Sequence, residues 1–240
     1  GFHVLYNSLR CVLMLPSVGL MARFCNWLLP DRVEENGVAR PRHLDPTALS
    51  TPSLALANAV RETLRIGDLI ETMLSHLLEV LQGGQIALSK ELRRLDDDVD
   101  ALYSAVKLYL AQVQREALSE HDNRRWAEII ELAVNLEQAG DIIERMLGKV
   151  QDQKTAQRHS FSDSGLEELA SLHQQLTANL RLGLSVFLSG DKESARQLLR
   201  EKRRFRAQER RLAHAHVGRL HHQVVQSIET SGLHMELIAD

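Results

Sequence analysis

Apolar residues recur at helical spacing through most of the chain from Leu54 onward. Leu56, Val60, Gly67, Ile70, Leu74, Leu77 and Leu81 share one face and stop at Gly83-Gly84, the stripe and terminator of an amphipathic helix. A second stripe runs through Leu88, Leu92, Leu95, Val99, Leu102, Val106, Tyr109 and Val113. A third runs through Trp126, Ile129, Ala133, Leu136, Gly140, Ile143, Leu147 and Val150. After a polar stretch at 151–164, Leu166, Leu169, Leu176, Leu180, Gly183 and Phe187 predict a fourth helix that ends at Ser189-Gly190. A fifth is expected from about 193 to 227 and a sixth from about Thr230. Long helices joined by short polar turns predict an all-α antiparallel bundle.

The helices also repeat. Val80-Leu-Gln-Gly-Gly84 and Val186-Phe-Leu-Ser-Gly190 close helices one and four alike, and helices three and six carry Glu137-xxx-Asp141 and Glu236-xxx-Asp240. Such self-similarity predicts a three-helix unit used twice, over about 54–154 and 163–240.

Residues 1–29 break this pattern. Arg10 and Arg23 are the only full charges before Asp31, and no small-residue cleavage site marks a signal peptide. The length suits a bilayer span of ~20 residues, although Arg10 and Pro16 interrupt it. The expectation is a last membrane helix inside a bundle, with Arg10 facing the protein interior; the alternative is a surface helix docked on a soluble core. Arg32, Arg40 and Arg42 follow, and the positive-inside rule then places residues 30–240 in the cytoplasm. Residues 30–53 include Pro41, Pro46 and Pro52 and read as a linker. The chain opens on Gly1 and stops inside a helical pattern, so a piece of a longer protein is expected.

Composition narrows the function classes. Of 240 residues, 4% are aromatic and 25% charged, with a net charge of −3, and no basic patch is interleaved with aromatics, so nucleic acid is not an expected partner. Cys11 and Cys25 form no CxxC and no disulfide framework, which fits a reducing compartment. No P-loop, GxSxG, dinucleotide glycine pattern or catalytic cysteine is present, so no enzyme activity is expected.

The candidate chemistry lies in carboxylates. Asp96 and Asp100 stand one helical turn apart on the second helix, as Glu137 and Asp141 do on the third. Like charges at that spacing cost roughly 0.2–0.5 kcal/mol. A hard cation such as Mg2+, Mn2+ or an iron ion wants several carboxylate oxygens, and two facing helices can supply them. Plain exposure to water is the alternative. Aligning the two units puts Lys202 and Arg206 where the first has Asp96 and Asp100, so the second unit cannot rebuild the same site. The basic run REKRRFRAQERR (200–211) reads as a solvated face or as a surface for anionic lipid. His214, His216, His221, His222 and His234 show no zinc-site spacing. His234 precedes Glu236 as Asn135 precedes Glu137, which hints at a shared supporting role.

Asn135-Leu-Glu-Gln-Ala-Gly-Asp141-Ile-Ile-Glu144 closely resembles the signature of PhoU domains, and Leu95-Asp-Asp-Asp-Val-Asp-Ala-Leu-Tyr103 resembles the acidic motif of the helix before it. His3-Val-Leu-Tyr-Asn7 and Leu13-Met-Leu-Pro16 look like the end of the membrane domain of the bacterial Na/Pi cotransporter (NptA-type) family. His216-Val-Gly-Arg-Leu220 and Thr230-Ser-Gly-Leu-His-Met-Glu236 look like that family's second repeat. The resemblance implies a PhoU-like bundle with its last helix incomplete. It also implies a cytoplasmic regulatory domain of a sodium-dependent inorganic phosphate transporter in the bacterial inner membrane. Phosphate and sodium would be handled by membrane helices outside this chain, and homo-oligomer formation is left open. By position it nominates Asp96, Asp100, Glu137, Asp141, Glu236 and Asp240 as metal ligands, with Mg, Mn or Fe as the ion. A free-standing PhoU-type regulator and a ligand-free helical scaffold are the competing readings.

Overall fold

A computed structural model describes His3, Tyr6 and residues 39–83, 86–114, 118–157, 161–221 and 231–239. Contacts divide the chain into two units, Gly1–Val38 and Ala39–Asp240. The membrane helix expected over residues 1–29 lies outside the described residues, His3 and Tyr6 apart. Among the described residues no helix is long and apolar enough to cross a membrane.

The second unit is all-α among the described residues. A short 3-10 helix, Pro46–Ser50, precedes α1 (Pro52–Leu81), α2 (Ile86–Ala111), α3 (Glu120–Gln157), α4 (Asp163–Ser189), α5 (Lys192–His221) and α6 (Ser231–Ala239). Local chemistry sets several ends. Pro52 occupies the first turn of α1, where its missing N–H costs nothing. Ser119 Oγ accepts the Asp122 N–H at 3.1 Å to open α3, and Ser162 Oγ accepts the Gly165 N–H at 3.2 Å to open α4. Gly190, at φ 65°, ends α4 and donates its N–H to the Val186 carbonyl at 2.8 Å, a left-handed cap that glycine adopts without steric penalty. Asp191 Oδ2 then accepts the Ser194 N–H at 2.7 Å and starts α5.

Helix α1 is the central element. It buries residues on several sides (Ala55, Ala59, Ile66, Ile70, Met73 and Leu77 among them) because α2, α3 and α4 all pack on it. Gly67 sits where α4 approaches; a β-carbon there would stand 2.6 Å from Leu184. Pairs across the bundle run antiparallel: Arg93 with Gln151 and Trp126 with Leu110 between α2 and α3, and His173 with Leu74 between α4 and α1. Packing is uneven between the two units. Helices α1 to α3 supply most of the core, whereas in α4 only Gly165, Leu169 and Leu172 are buried. Leu176, predicted on the buried face of the fourth helix, is exposed. A largely apolar cavity of about 270 Å3 lies beside it, walled by Ile70, Leu74, Leu172, Phe205 and Leu237, with His173 and Glu209 as its polar members.

The stretch expected as a linker differs from expectation after residue 38. The Ala39 N–H donates to Asp98 Oδ1 at 2.5 Å, and the Arg42 and His43 N–H groups donate to Glu62 Oε2 at 2.9 and 2.8 Å. Tyr109 Oη donates to the Asp45 carbonyl at 2.8 Å. Residues 39–51 are thus fastened to α1 and α2 through their backbone. Prolines that break helices do not prevent docking when distant side chains satisfy the amides.

Candidate metal centre

Two helices build the site. On α2, Asp96 and Asp100 lie one turn apart; on α3, Glu137 and Asp141 do the same. The helices approach closely at Gly140, where a β-carbon would stand 3.1 Å from Asp96 Oδ1, 3.4 Å from Ile70 and 3.5 Å from Val99. As a result Asp100, Glu137 and Asp141 each place a carboxylate oxygen within 4.8 Å of the others. Asp96 is buried beside them, and its Oδ1 has no hydrogen-bond partner. A buried carboxylate oxygen left without a donor is uncommon in folded proteins.

The electrostatics follow from this crowding. Burial, then the like charges of Glu144, Asp100, Asp141 and Asp97, pushes the Asp96 carboxyl up to about 6. Asp100 is raised by burial and by Asp141 and Asp97. Glu137 is raised by burial, Asp141 and Asp100, with Lys107 opposing. Each shift says that the carboxylates resist being charged together. The all-oxygen set of Asp100, Glu137 and Asp141 fits a hard cation, which would relieve the repulsion.

Of the remaining nominated residues, Glu236 is not part of this group among the described residues. Glu236, its side chain 58% exposed, pairs with Lys149 of α3 at 3.4 Å. Asp240 lies outside the described residues. Lys202 and Arg206 are exposed on α5, so α5 presents cations at the positions aligned with the acids of α2. His214 is exposed, while His216 and His234 are buried and stack with ring centroids 4.4 Å apart. His234 Nε2 also lies 3.2 Å from Glu168 Oε2. Asn135 is exposed, whereas His234 is buried.

Sequence reasoning passed over Glu62 and Asp98, the two buried carboxylates that hold residues 39–43. A signal was present. Glu62 falls on the apolar stripe between Ala59 and Ile66, and Asp98 on the one between Leu95 and Leu102. An acid at a core position needs donors, and here backbone amides supply them, with Arg65 (2.8 Å) beside Glu62 and Arg94 (3.1 Å) beside Asp98.

All four clustered carboxylates fall within one stretch of known kinship. Residues 63–150 match the PhoU domain family. Over 239 residues the chain is 56% identical to "Putative inorganic phosphate export protein YjbB" of Escherichia coli K12, covering 100% of this chain and 44% of that protein. The Shigella flexneri protein of the same name gives the same figures, and that of Salmonella typhimurium is 54% identical over the same share. The chain therefore spans less than half the length of the curated relatives it matches. No solved structure matches it.

Proposed function

We propose that this chain is the regulatory PhoU-like part of a sodium-dependent inorganic phosphate transporter of the bacterial plasma membrane, with residues 30–240 on the cytoplasmic side. The reading is carried by the acidic groove of Asp96, Asp100, Glu137 and Asp141, set in a PhoU domain. It is supported by identity along the whole chain to relatives whose name gives inorganic phosphate export. Transport is assigned to the part of those relatives that the chain does not cover, and no catalytic role is assigned to the residues described. Sodium dependence and the membrane helix rest on the resemblance of residues 1–16 to Na/Pi cotransporters.

In this reading Asp100, Glu137 and Asp141 hold a Mg, Mn or iron ion, with the buried Asp96 carboxylate beside it. When bound, the ion supplies positive charge that offsets four crowded carboxylates. The chain's own contribution is to set the distance between α2 and α3. Asp98 on α2 and Glu62 on α1 also grip the amides of residues 39–43. A change in the spacing of these helices therefore reaches the stretch leading in from residue 38, the route by which the domain would act on transport.

Phosphate release from cells expressing the full-length protein tests this. Release is expected to need sodium and to lose its response to internal phosphate in the Glu137→Gln, Asp141→Asn variant while the basal flux remains. A flux indifferent to sodium removes the symport assignment, and a double variant indistinguishable from wild type reduces the domain to a scaffold.

A further inference from the structure

Helix α5 packs chiefly on α4 and α6, and its outer face is uncovered among the described residues. At about 100° per residue, Leu199, Lys202, Arg203, Arg206, Arg210 and Val217 fall on one stripe of that face, and all six are exposed. The acids of α5 lie off the stripe. Glu193 pairs with Arg196 (3.2 Å) and Arg200 (3.4 Å), Glu201 pairs with Arg204 (2.6 Å), and Glu209 is half-buried at the apolar cavity. Lys202, Arg203, Arg206 and Arg210 make no ion pair or hydrogen bond among the described residues. In a protein of net charge −3, this is a sharp local segregation of positive charge. The stripe is also bounded by apolar side chains, Leu199 at 60% and Val217 at 45% exposure, about 27 Å apart along the helix at 1.5 Å per residue.

We propose that this stripe of α5 is a contact surface for an anionic lipid bilayer. The observations favour a membrane over a folded or extended acidic partner. The cations lie along successive turns of one exposed helix face rather than converging on a point, which suits a laterally spread charge. Exposed Leu199 and Val217 at the two ends fit the boundary between headgroups and acyl chains, while Lys and Arg stems extend along it. The inference uses only α5 and stands whether or not the chain regulates phosphate transport.

The test is co-sedimentation of the 240-residue chain with phosphatidylcholine vesicles, with and without phosphatidylglycerol. The readout is the increment due to the anionic lipid, which removes charge-independent binding by residues 1–38; the part lost in the stripe variant is that of α5. The increment should fall with salt and drop at least about tenfold in the Lys202→Gln, Arg203→Gln, Arg206→Gln, Arg210→Gln variant. A charge-matched control, with Arg61, Lys90, Arg124 and Arg145 changed to Gln, should retain it, and unchanged helical circular dichroism in both variants excludes misfolding. Leu199→Ser with Val217→Ser should weaken the increment with all charges intact. No increment, or one that survives the stripe variant, overturns the proposal. Displacement by inorganic phosphate beyond that by chloride at equal ionic strength would make the stripe a free-anion site and overturn it too. Tighter binding to polyglutamate than to the lipid surface at matched charge would place an acidic protein there instead.

Discussion

Asp96 and Gly140 meet closely across the α2–α3 interface: a β-carbon on Gly140 would sit 3.1 Å from Asp96 Oδ1, so the carboxylate would have to give way by a few tenths of an ångström. Glycine inside a helix costs about 0.5–1 kcal/mol relative to alanine, so its presence mid-helix needs a packing reason. Ile70 and Val99, at 3.4 and 3.5 Å from the same point, would meet the added carbon at ordinary contact distance, so the crowding comes from Asp96. Gly140→Ala is expected to lower the melting temperature despite its helix propensity. A higher melting temperature would mean that Asp96 turns aside freely and that the close approach is incidental.

A second prediction concerns pH. The folded chain holds the Asp96 proton more tightly than the unfolded chain, because its carboxyl titrates at about 6 rather than near the ordinary 3.8. Protons then favour the folded state as pH falls through about 6, and this contribution is complete below the unfolded value. With chelator present the protein should melt at higher temperature at pH 5.5 than at pH 7.5, with Asp96 contributing roughly 1 kcal/mol over that interval. Asp96→Asn should remove most of the difference. If Asp96→Asn leaves the pH dependence intact, other groups control it.

Much of this arrangement was legible in the sequence. Helical periodicity is a direct consequence of which side chains leave water, and the stripes of α1, α2 and α3 are therefore correct almost residue by residue, from Leu56 to Val150. The fourth helix was harder to read, because Leu176 has the right spacing but no neighbour dense enough to cover it. Acid pairs one turn apart revealed the groove on α2 and α3. They did not reveal the Glu236 ion pair, whose partner Lys149 comes from a helix more than eighty residues earlier in the chain. The docking of residues 39–51 was invisible for the same reason: a proline-rich stretch looks alike whether its amides face water or Glu62 and Asp98.

That docking can be tested. Glu62 is fully buried and accepts the Arg42 and His43 amides as well as Arg65. Glu62→Ala leaves these donors without their acceptor, at a cost of about 2–4 kcal/mol. It should also free the Arg42–His43 bond for trypsin. Urea unfolding and the rate of cleavage after Arg42 read the two effects. Destabilisation without faster cleavage would mean that residues 39–43 stay docked through other contacts.

The His216 and His234 stack ties α5 to α6, and Glu168 of α4 lies beside it. His234 also faces Gly165, whose absent β-carbon would stand 3.3 Å from the ring. His234→Ala opens a void in a closely packed spot and should destabilise by about 2–3 kcal/mol. His234→Phe keeps the volume and the stack but loses the Glu168 contact, so it should recover part of that loss. Equal losses in the two variants would assign the whole effect to the contact with Glu168 rather than to packing.

The metal reading carries the last prediction. Four carboxylates around one groove repel when charged, and burial raises the cost for Asp96 most of all. A cation that binds only the folded groove stabilises it by mass action, about 2.7 kcal/mol at a hundredfold excess over its dissociation constant. Mn2+ or Mg2+ should therefore raise the melting temperature of the chelator-treated protein at neutral pH. The Glu137→Gln, Asp141→Asn variant should lose that response and, relieved of two like charges, melt at higher temperature than wild type without metal. Glu236→Gln should keep the full metal response, because Glu236 pairs with Lys149 and stands apart from the cluster. Calorimetric melts of the three proteins, with chelator and with each metal, separate the cases. A response that survives the double variant would put the ion elsewhere, and an unchanged apo melting temperature would show that Glu137 and Asp141 are simply solvated.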